Sequence, residues 1–252
     1  MLYNYHTHTT RCNHASGADR EYVEKAIEAG MEVLGISDHA PYLFGNTGHF
    51  SGFRMRADQL FEYAESVRSL AKEYEKDIRV LLGFELEYYP DFHKDEMKFL
   101  SAVNPDYCIM GQHFLGNEIG DVYSGHTNRP EQLTRYVTQV LEGLKTGDFA
   151  YLAHPDVAGF AFEQEHIQKE YLRLCEGAKE LGIPLEINLL GLHTGRHYPN
   201  KALFEIAAKV GNEVVIGVDA HEPKYLADKA LENRGLQMVK DLGLKLIEKP
   251  FI

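Results

Sequence analysis

The chain has 252 residues, of which 44% are hydrophobic and 25% are charged, as is typical of a folded globular protein. Its formal net charge of −12 and its calculated pI of about 5.5 argue against an extended basic surface for nucleic acid. No run of about 18 apolar residues is present, so we expect neither a membrane-spanning helix nor a membrane partner.

Short apolar strands alternate with amphipathic helices along the chain. The predicted strands are Leu2–Tyr5, Val33–Ser37, Arg79–Phe84, Tyr107–Gly111, Phe149–Ala153, Pro184–Asn188 and Glu213–Val218. The predicted helices are Asp19–Ala29, Ala57–Tyr74, Asp95–Val103, a helix from Pro130 to just before Gly147, Glu165–Leu181, Lys201–Val210 and Tyr225–Leu242. This order predicts a parallel sheet with helical crossovers, as a closed barrel or, alternatively, a doubly wound open sheet.

The first strand begins at residue 2 and leaves no room for a signal peptide, and the three cysteines form no CxxC pair. We therefore expect a cytoplasmic protein. No linker or low-complexity segment divides the sequence, so residues 1–252 are predicted to form a single domain.

Residue types that bind metals recur where the predicted strands end. They are His6, His8, His39, Glu85, His113, His154, Asp219 and His221, with His14 in the loop after the first strand. His6 and His8 are two residues apart, so a strand would point both imidazoles to one side. In a β/α barrel all carboxyl strand ends gather on one face, which favours convergence. A lone histidine there is usually a hydrogen-bonded core residue, but the whole series favours a metal site.

Imidazole and carboxylate donors without cysteine suit Zn, Mn or Fe. Seven histidines and two acids exceed what one ion takes, so two or three ions with a bridging carboxylate are predicted. Such a centre would be cationic and would bind a phosphate dianion despite the acidic chain.

Together these motifs closely resemble the polymerase and histidinol phosphatase (PHP) family. The matching pieces are His6-Thr-His8, Ser37-Asp38-His39, Gly83-x-Glu85, Gly111-x-His113, Ala153-His154-Pro155 and Val218-Asp219-Ala220-His221. They extend from residue 6 to residue 221, so the resemblance covers essentially the whole chain. It implies an α/β fold, a distorted (β/α)7 TIM-like barrel with the active site at the C-terminal ends of the strands.

The resemblance also implies a trinuclear centre of divalent metal ions. His6, His8, Glu85 and Asp219 would hold the first ion, and Glu85 would bridge to a second ion bound by His113 and His154. His14, His39 and His221 would hold the third. Of these residues, His14 lies in the loop after the first strand.

Within the family the sequence looks most like the monofunctional branch that hydrolyses L-histidinol phosphate to L-histidinol and phosphate in histidine biosynthesis. A metal-bridging hydroxide would attack phosphorus in line. The segment from Asn188 to Pro199, including His193, resembles the substrate loop of that branch. Arg196 is the main candidate for binding the phosphate and Arg54 the second.

Asp38, His193 and His197 are candidates to support the metal centre or to protonate the leaving alkoxide, although simple hydrogen-bonding roles are at least as plausible for each. An acidic pocket for the substrate ammonium and imidazole would use Glu118, Asp121 or Glu186. Two segments without helical or strand period, Pro41–Arg56 and Phe114–Arg129, follow ligand-bearing strand ends and are candidates to cover the site.

Three alternatives stay open on the sequence. A PHP-type phosphodiesterase or nuclease would use the same metals, and a phosphatase of the same fold could act on another small phosphorylated metabolite. A non-catalytic metal-binding protein would be expected to lack a ligand, and none is missing from the motifs. The identity of the metals, the oligomeric state and the group that protonates the leaving alkoxide are not determined by the sequence.

Overall fold

The computed structural model of the protein describes residues 1–120, 122–159 and 164–252, and it leaves out the side chain of residue 46. Its strands are β1 (Tyr3–Asn4), β2 (Val33–Ile36), β3 (Arg79–Leu86), β4 (Tyr107–Met110), β5 (Leu185–Asn188), β6 (Glu213–Gly217) and β7 (Lys245–Leu246). Its helices are α1 (Asp19–Glu28), α2 (Leu60–Glu73), α3 (His93–Leu100), α4 (Pro130–Leu144), α5 (Gln164–Glu180), α6 (Leu189–Thr194), α7 (Lys201–Val210) and α8 (Lys229–Leu242).

The strands form two parallel sheets, with the orders β1-β2-β3-β4 and β5-β6-β7. Single-residue parallel bridges lie between the sheets: Leu152 pairs with Met110 on one side and with Leu185 on the other. A third bridge joins Thr7, just after β1, to Ala220, just after β6. The expected α/β fold with parallel strands and helical crossovers is confirmed, and the sheet is curled.

Most helix boundaries follow local signals in the sequence. Pro130 occupies the first turn of α4, where its missing N–H is not needed. The Asp228 carboxylate caps α8 by accepting a hydrogen bond from the Leu231 N–H at 2.9 Å. α7 ends at Gly211, whose φ of 82° lies in the left-handed region that glycine adopts without strain.

Three local expectations were wrong. The predicted strand Phe149–Ala153 is reduced to the bridge at Leu152, because the chain turns into left-handed backbone at His154 (φ 28°) immediately afterwards. The strand β7, which pairs with the start of β6, was not predicted. The short helix α6 begins inside the segment that was expected to be a loop, where the Asn188 side chain caps it.

The sheets separate two buried regions. A large core between strands and helices contains alternate residues such as Val80 and Leu82 of β3. On the other face of β3, Leu81 belongs to a smaller inner core rich in tyrosine. The tyrosine cluster is defined here as the four tyrosines of this inner core, Tyr3, Tyr5, Tyr107 and Tyr151, all buried. Among the described residues, no helix has both the length and the apolar character that crossing a bilayer requires.

Candidate metal centre

The carboxyl ends of the strands bring together the nine residues that the sequence predicts as metal ligands. This set, called here the histidine cluster, consists of His6, His8, His14, His39, Glu85, His113, His154, Asp219 and His221. His6, His8 and Glu85 are at most 1% exposed, whereas His14 lies at the exposed edge.

Glu85 lies at the centre of the histidine cluster, and its two carboxylate oxygens face different groups of histidines. Oε2 lies 3.4 Å from His6 Nε2, 3.4 Å from His8 Nε2 and 3.1 Å from His39 Nδ1. Oε1 lies 2.8 Å from His154 Nε2 and 3.6 Å from His113 Nε2. A carboxylate placed in this way can join two neighbouring metal positions.

Asp219 marks a second focus of the histidine cluster. Its Oδ1 lies 3.1 Å from His8 Nε2 and 3.4 Å from His221 Nδ1. The rings of His8 and His221 stack at 4.1 Å, and the ring of His14 lies 4.7 Å from that of His221. Ligand atoms of His8, His39 and His221 all lie within 4.8 Å of one another, which is close enough for one ion.

Local backbone features hold this geometry in place. His154 (φ 28°) and Asp219 (φ 53°) both adopt left-handed backbone, which costs energy for residues with a Cβ. Gly111 gives Glu85 its room, because a Cβ at this position would lie 1.8 Å from Glu85 Oε1. Strain and close approach at these positions fit a backbone shaped for ligand geometry.

Several polar atoms of the histidine cluster are buried and have no hydrogen-bond partner. They are His6 Nε2, His8 Nε2, His39 Nδ1, His154 Nδ1 and Asp219 Oδ1. Leaving a buried polar atom unsatisfied costs about 1–3 kcal/mol, so proteins rarely do so without a reason. The atoms of His6, His8, His39 and Asp219 in this set converge at short range, and such nitrogen and carboxylate donors fit divalent metal ions.

The outer ring nitrogens of His6 and His113 have protein partners. His6 Nδ1 lies 2.8 Å from Glu186 Oε1, and His113 Nδ1 lies 2.9 Å from Glu87 Oε1. Such outer hydrogen bonds fix the tautomer and orientation of a metal-binding histidine. These roles of Glu87 and Glu186 were not predicted from the sequence, although Glu87 stands only two residues after Glu85 and alternation along an extended chain would point both to one side.

The charges of the histidine cluster shift one another strongly. Burial opposes ionisation of Glu85, but His39, His113 and His6 outweigh it and hold the pKa of Glu85 well below its usual range. Burial would lower the pKa of His6, yet Asp219 and neighbouring carboxylates raise that pKa well above its usual range. The site therefore keeps its carboxylates ionised, as metal binding requires.

A cavity of about 550 Å³ opens above the histidine cluster. Its walls carry aromatic and apolar side chains together with one arginine: Phe53, Phe114, Tyr123, Leu190, Tyr198 and Arg196. The Arg196 guanidinium donates a hydrogen bond to the Tyr198 hydroxyl. A polar, cation-binding floor beneath a partly aromatic wall suits a small anionic ligand that also carries a ring.

Other predicted substrate residues lie away from the cavity wall. Arg54 is 1% exposed and its guanidinium is bound to Glu87 and Glu118. His193 is exposed on α6, where its ring lies 4.5 Å from that of Tyr225. The Asn188 amide donates hydrogen bonds to carboxylate oxygens of Glu186 and Asp219 instead of facing the cavity.

The candidates for acid or supporting roles also have protein partners. Asp38 is buried, and its carboxylate lies 3.3 Å from His8 Nδ1, so it can orient that ring. His197 Nε2 lies 2.9 Å from the backbone oxygen of Val157. Glu118 and Glu186 pair with Arg54 and His6, so they form no free acidic pocket, and Asp121 lies outside the described residues.

Residues 4–189 match the sequence profile of one protein family, the PHP domain. A probable histidinol-phosphatase of Deinococcus radiodurans is 28% identical over 256 residues, covering 96% of this chain and 94% of that protein. A histidinol-phosphatase of Bacillus subtilis is 25% identical, covering 86% of this chain and 92% of that protein.

Solved structures with the same fold include two histidinol phosphatases. A histidinol phosphate phosphatase of Lactococcus lactis, complexed with zinc, L-histidinol and phosphate, aligns with a TM-score of 0.73 at 19% identity. That alignment covers 97% of this chain and 95% of the other. A putative histidinol phosphatase of Listeria monocytogenes has a TM-score of 0.74 at 22% identity, covering 90% of this chain and 98% of the other.

Proposed function

The chain belongs to the PHP domain family, and we propose that it is a metal-dependent phosphomonoesterase that hydrolyses L-histidinol phosphate to L-histidinol and phosphate. The observation that carries this proposal is Glu85 at the floor of the cavity, with its two oxygens between two groups of histidines. The similar proteins of Deinococcus and Bacillus, matched over nearly their whole length, support the choice of substrate.

We assign three divalent ions to the histidine cluster. The first takes His6, His8, Glu85 and Asp219, the second takes Glu85, His113 and His154, and the third takes His14, His39 and His221. The unpartnered buried donor atoms and the two-sided contacts of Glu85 support this assignment. Nitrogen and oxygen donors accept Zn, Mn or Fe, and zinc in the Lactococcus protein makes it the first metal to test.

Bound divalent ions would supply charge neutralisation for the phosphoryl oxygens and would lower the pKa of a water. Of the two candidate arginines, Arg196 lines the cavity and can bind the phosphate with its fork of donors. Asp38 orients His8, and Asn188 holds the second oxygen of Asp219, Oδ2, at 3.0 Å. His193 and His197 flank Arg196 and act by placing the substrate loop.

The aromatic side of the cavity suits the imidazole of the substrate. Phe53 and Phe114 stack at 5.7 Å with an interplanar angle of 29°, and both line the cavity. Their faces offer a flat apolar surface beside the phosphate position, which a ring on the substrate can cover.

We also infer that the bridges at Leu152 and between Thr7 and Ala220 close the two sheets into a distorted (β/α)7 barrel. One hydrophobic core running from Tyr22 to Leu244 supports a single domain over residues 1–252. The three cysteines, Cys12, Cys108 and Cys175, are free thiols, which agrees with a reducing cytoplasm.

The test is a direct substrate comparison on protein whose metal content has been measured. Zinc-loaded enzyme should hydrolyse L-histidinol phosphate at least about 10³-fold more efficiently than bis-p-nitrophenyl phosphate, because the site is built for a phosphate dianion. Metal-free enzyme should be inactive with both. A preference for the diester would replace the proposal with a phosphodiesterase, and a preference for another phosphorylated metabolite would replace the substrate alone.

A further inference from the structure

Arg54 is a buried charge beside the metal centre, only 1% exposed, and all three of its guanidinium nitrogens contact protein oxygens. Nε lies 3.0 Å from Glu118 Oε2, and Nη1 lies 3.1 Å from the Ala40 backbone oxygen and 3.0 Å from Glu87 Oε2. Nη2 lies 3.0 Å from Glu87 Oε1 and 3.0 Å from Glu118 Oε2. Of the five N–H groups of the guanidinium, four donate hydrogen bonds to these protein oxygens, and all three of its nitrogens lie against a carboxylate.

Glu87 connects this arginine to the histidine cluster. Its carboxylate accepts the paired bonds from Arg54 and also lies 2.9 Å from His113 Nδ1. With Nδ1 held in this way, the other ring nitrogen, Nε2, faces Glu85 at 3.6 Å. The orientation of His113 is therefore set by a carboxylate that Arg54 itself holds.

Glu118 connects the same arginine to the segments around the cavity. It lies in the segment after β4, and its Oε1 is 3.0 Å from His49 Nε2 in the segment after β2. Phe53, next to Arg54 in sequence, places its ring under the guanidinium at 4.4 Å and lines the cavity. The Arg54 backbone oxygen accepts a hydrogen bond from Asn13 Nδ2, beside His14.

A buried ion network of this kind is poor evidence for stability, because removing charges from water costs about as much as their attraction returns. Its value lies in specifying one arrangement of the groups it joins. The groups joined here are the end of β3, His113 and the segments after β2 and β4, and both segments contribute residues to the cavity wall.

We propose that Arg54 is a positioning residue: through Glu87 it holds His113 in its ligand orientation, and through Glu118 it fixes the two loops that border the cavity. It does not touch the phosphate, because its guanidinium is buried away from the cavity wall and is held by Glu87, Glu118 and the Ala40 backbone oxygen. The His113 part of this proposal rests on the proposed metal centre, whereas the loop part does not.

The test compares Arg54→Lys with two other variants by three readouts. Hydrogen exchange reports on residues 41–56 and 114–120, zinc titration reports on metal affinity, and inhibition by inorganic phosphate reports on anion binding. Arg56→Ala is the matched control, since Arg56 lies in the same loop and its guanidinium pairs with exposed Asp58. Arg196→Lys tests the arginine that lines the cavity.

Arg54→Lys should raise exchange in both segments and weaken zinc binding about 10-fold, the usual cost of losing an outer partner of a metal ligand. Its phosphate inhibition constant, measured with saturating zinc, should change less than about 3-fold. Arg196→Lys should do the opposite, raising that constant about 10-fold with unchanged exchange. Arg56→Ala should match the wild type throughout.

Unchanged exchange and zinc affinity in Arg54→Lys, or a phosphate constant raised as much as in Arg196→Lys, would overturn the positioning role. If wild-type protein itself binds no zinc, the proposed metal centre fails, and the exchange data still decide the loop part. If Arg54→Lys does not fold, Glu87→Gln replaces it as the test. This variant keeps the arginine and removes the charge of the carboxylate that joins Arg54 to His113. It should weaken zinc binding and leave exchange at residues 114–120 unchanged, and the opposite pattern would refute the proposed division of roles.

Discussion

The tyrosine cluster and the histidine cluster form two adjacent levels on the inner side of the sheets. Their buried polar atoms differ in whether they have hydrogen-bond partners. The Tyr107 hydroxyl donates to the Tyr5 backbone oxygen at 2.7 Å, and the Tyr5 hydroxyl accepts from the Phe251 N–H at 3.1 Å. In the histidine cluster, five equally buried nitrogen and oxygen atoms have no hydrogen-bond partner. Burial alone therefore does not mark a functional site, whereas convergent buried donors without partners do.

The two levels meet at Glu186. Its Oε1 lies 3.5 Å from the Tyr151 hydroxyl and 2.8 Å from His6 Nδ1, so one oxygen faces both clusters. Gly217 makes room for this carboxylate, because a Cβ there would lie 1.7 Å from Glu186 Oε1. The tyrosine cluster thus supports the carboxylate that orients His6.

Among the substitutions that compare the two levels, Glu85→Gln in the histidine cluster should have the largest effect on activity. The amide keeps the shape but loses the charge that joins the two groups of histidines, so kcat/KM should fall at least about 10³-fold with lower zinc content. Circular dichroism should show an unchanged fold. Glu213→Gln, at the exposed start of β6, is the control and should behave as wild type. Near-normal turnover in Glu85→Gln would remove the bridging role.

A matched pair of glycine substitutions should separate the two levels. Gly111→Ala places a methyl group 1.8 Å from Glu85 Oε1, and we expect a 10- to 100-fold loss of zinc affinity and activity, by order of magnitude. Gly83→Ala places a methyl group 2.3 Å from Tyr107 Cζ and should lower the free energy of unfolding by about 1–3 kcal/mol. Zinc titration and urea unfolding distinguish the outcomes. If both variants lose zinc equally, the two levels are not independent.

The pH dependence of metal binding should arise from the histidine cluster alone. Asp219, Asp38 and other neighbours raise the pKa of His8 well above its usual range despite its burial, and His6 is raised similarly. Both rings are then protonated near pH 7 without metal, so an ion must displace their protons and zinc binding must weaken as pH falls. His221, whose pKa burial and His8 lower to about 3, releases none.

Zinc titration at pH 6, 7 and 8 measures this slope. We expect the apparent affinity to fall about 10-fold per pH unit for each proton displaced. The tyrosine cluster contributes nothing in this range, since burial raises the pKa of Tyr107 well above its usual value. A flat profile would show that His6 and His8 are already neutral in the metal-free protein.

The smallest effect should come from Tyr107→Phe. It removes the hydrogen bond to the Tyr5 backbone oxygen and leaves the ring in place, which should cost about 1 kcal/mol of stability in urea unfolding. Zinc affinity and kcat/KM should stay within about 2-fold of wild type. A large loss of activity would mean that the tyrosine cluster does more than carry Glu186 and its neighbours.

Some parts of the fold could be predicted from the sequence and others could not. Alternating strands and helices predict the parallel α/β fold, because hydrophobic period and cap residues are local properties. The segment Phe149–Ala153 was predicted as a full strand because its composition is that of a strand, but the turn at His154 shortens it. That turn is set by the site and not by local propensity.

The candidate ligands were predictable because parallel strands deliver their carboxyl ends to one face. The partners that orient them were harder to predict, since Glu186 and Glu87 act across the sheet on His6 and His113. Arg54 shows the limit most clearly. Its residue type suits a phosphate, and only the contacts with Glu87 and Glu118 reveal that its guanidinium is held by the protein.

The bridge between Thr7 and Ala220 has a consequence for the time at which the protein becomes active during synthesis. It pairs the segment that carries His6 and His8 with the segment that carries Asp219 and His221. The first two residues therefore cannot complete their site until the last two have been synthesised. A nascent chain that has emerged only as far as β5 holds most of the candidate ligands but lacks Asp219 and His221. Ribosome-bound or truncated chains should therefore be inert, and turnover should appear in a single step once the final strands have emerged.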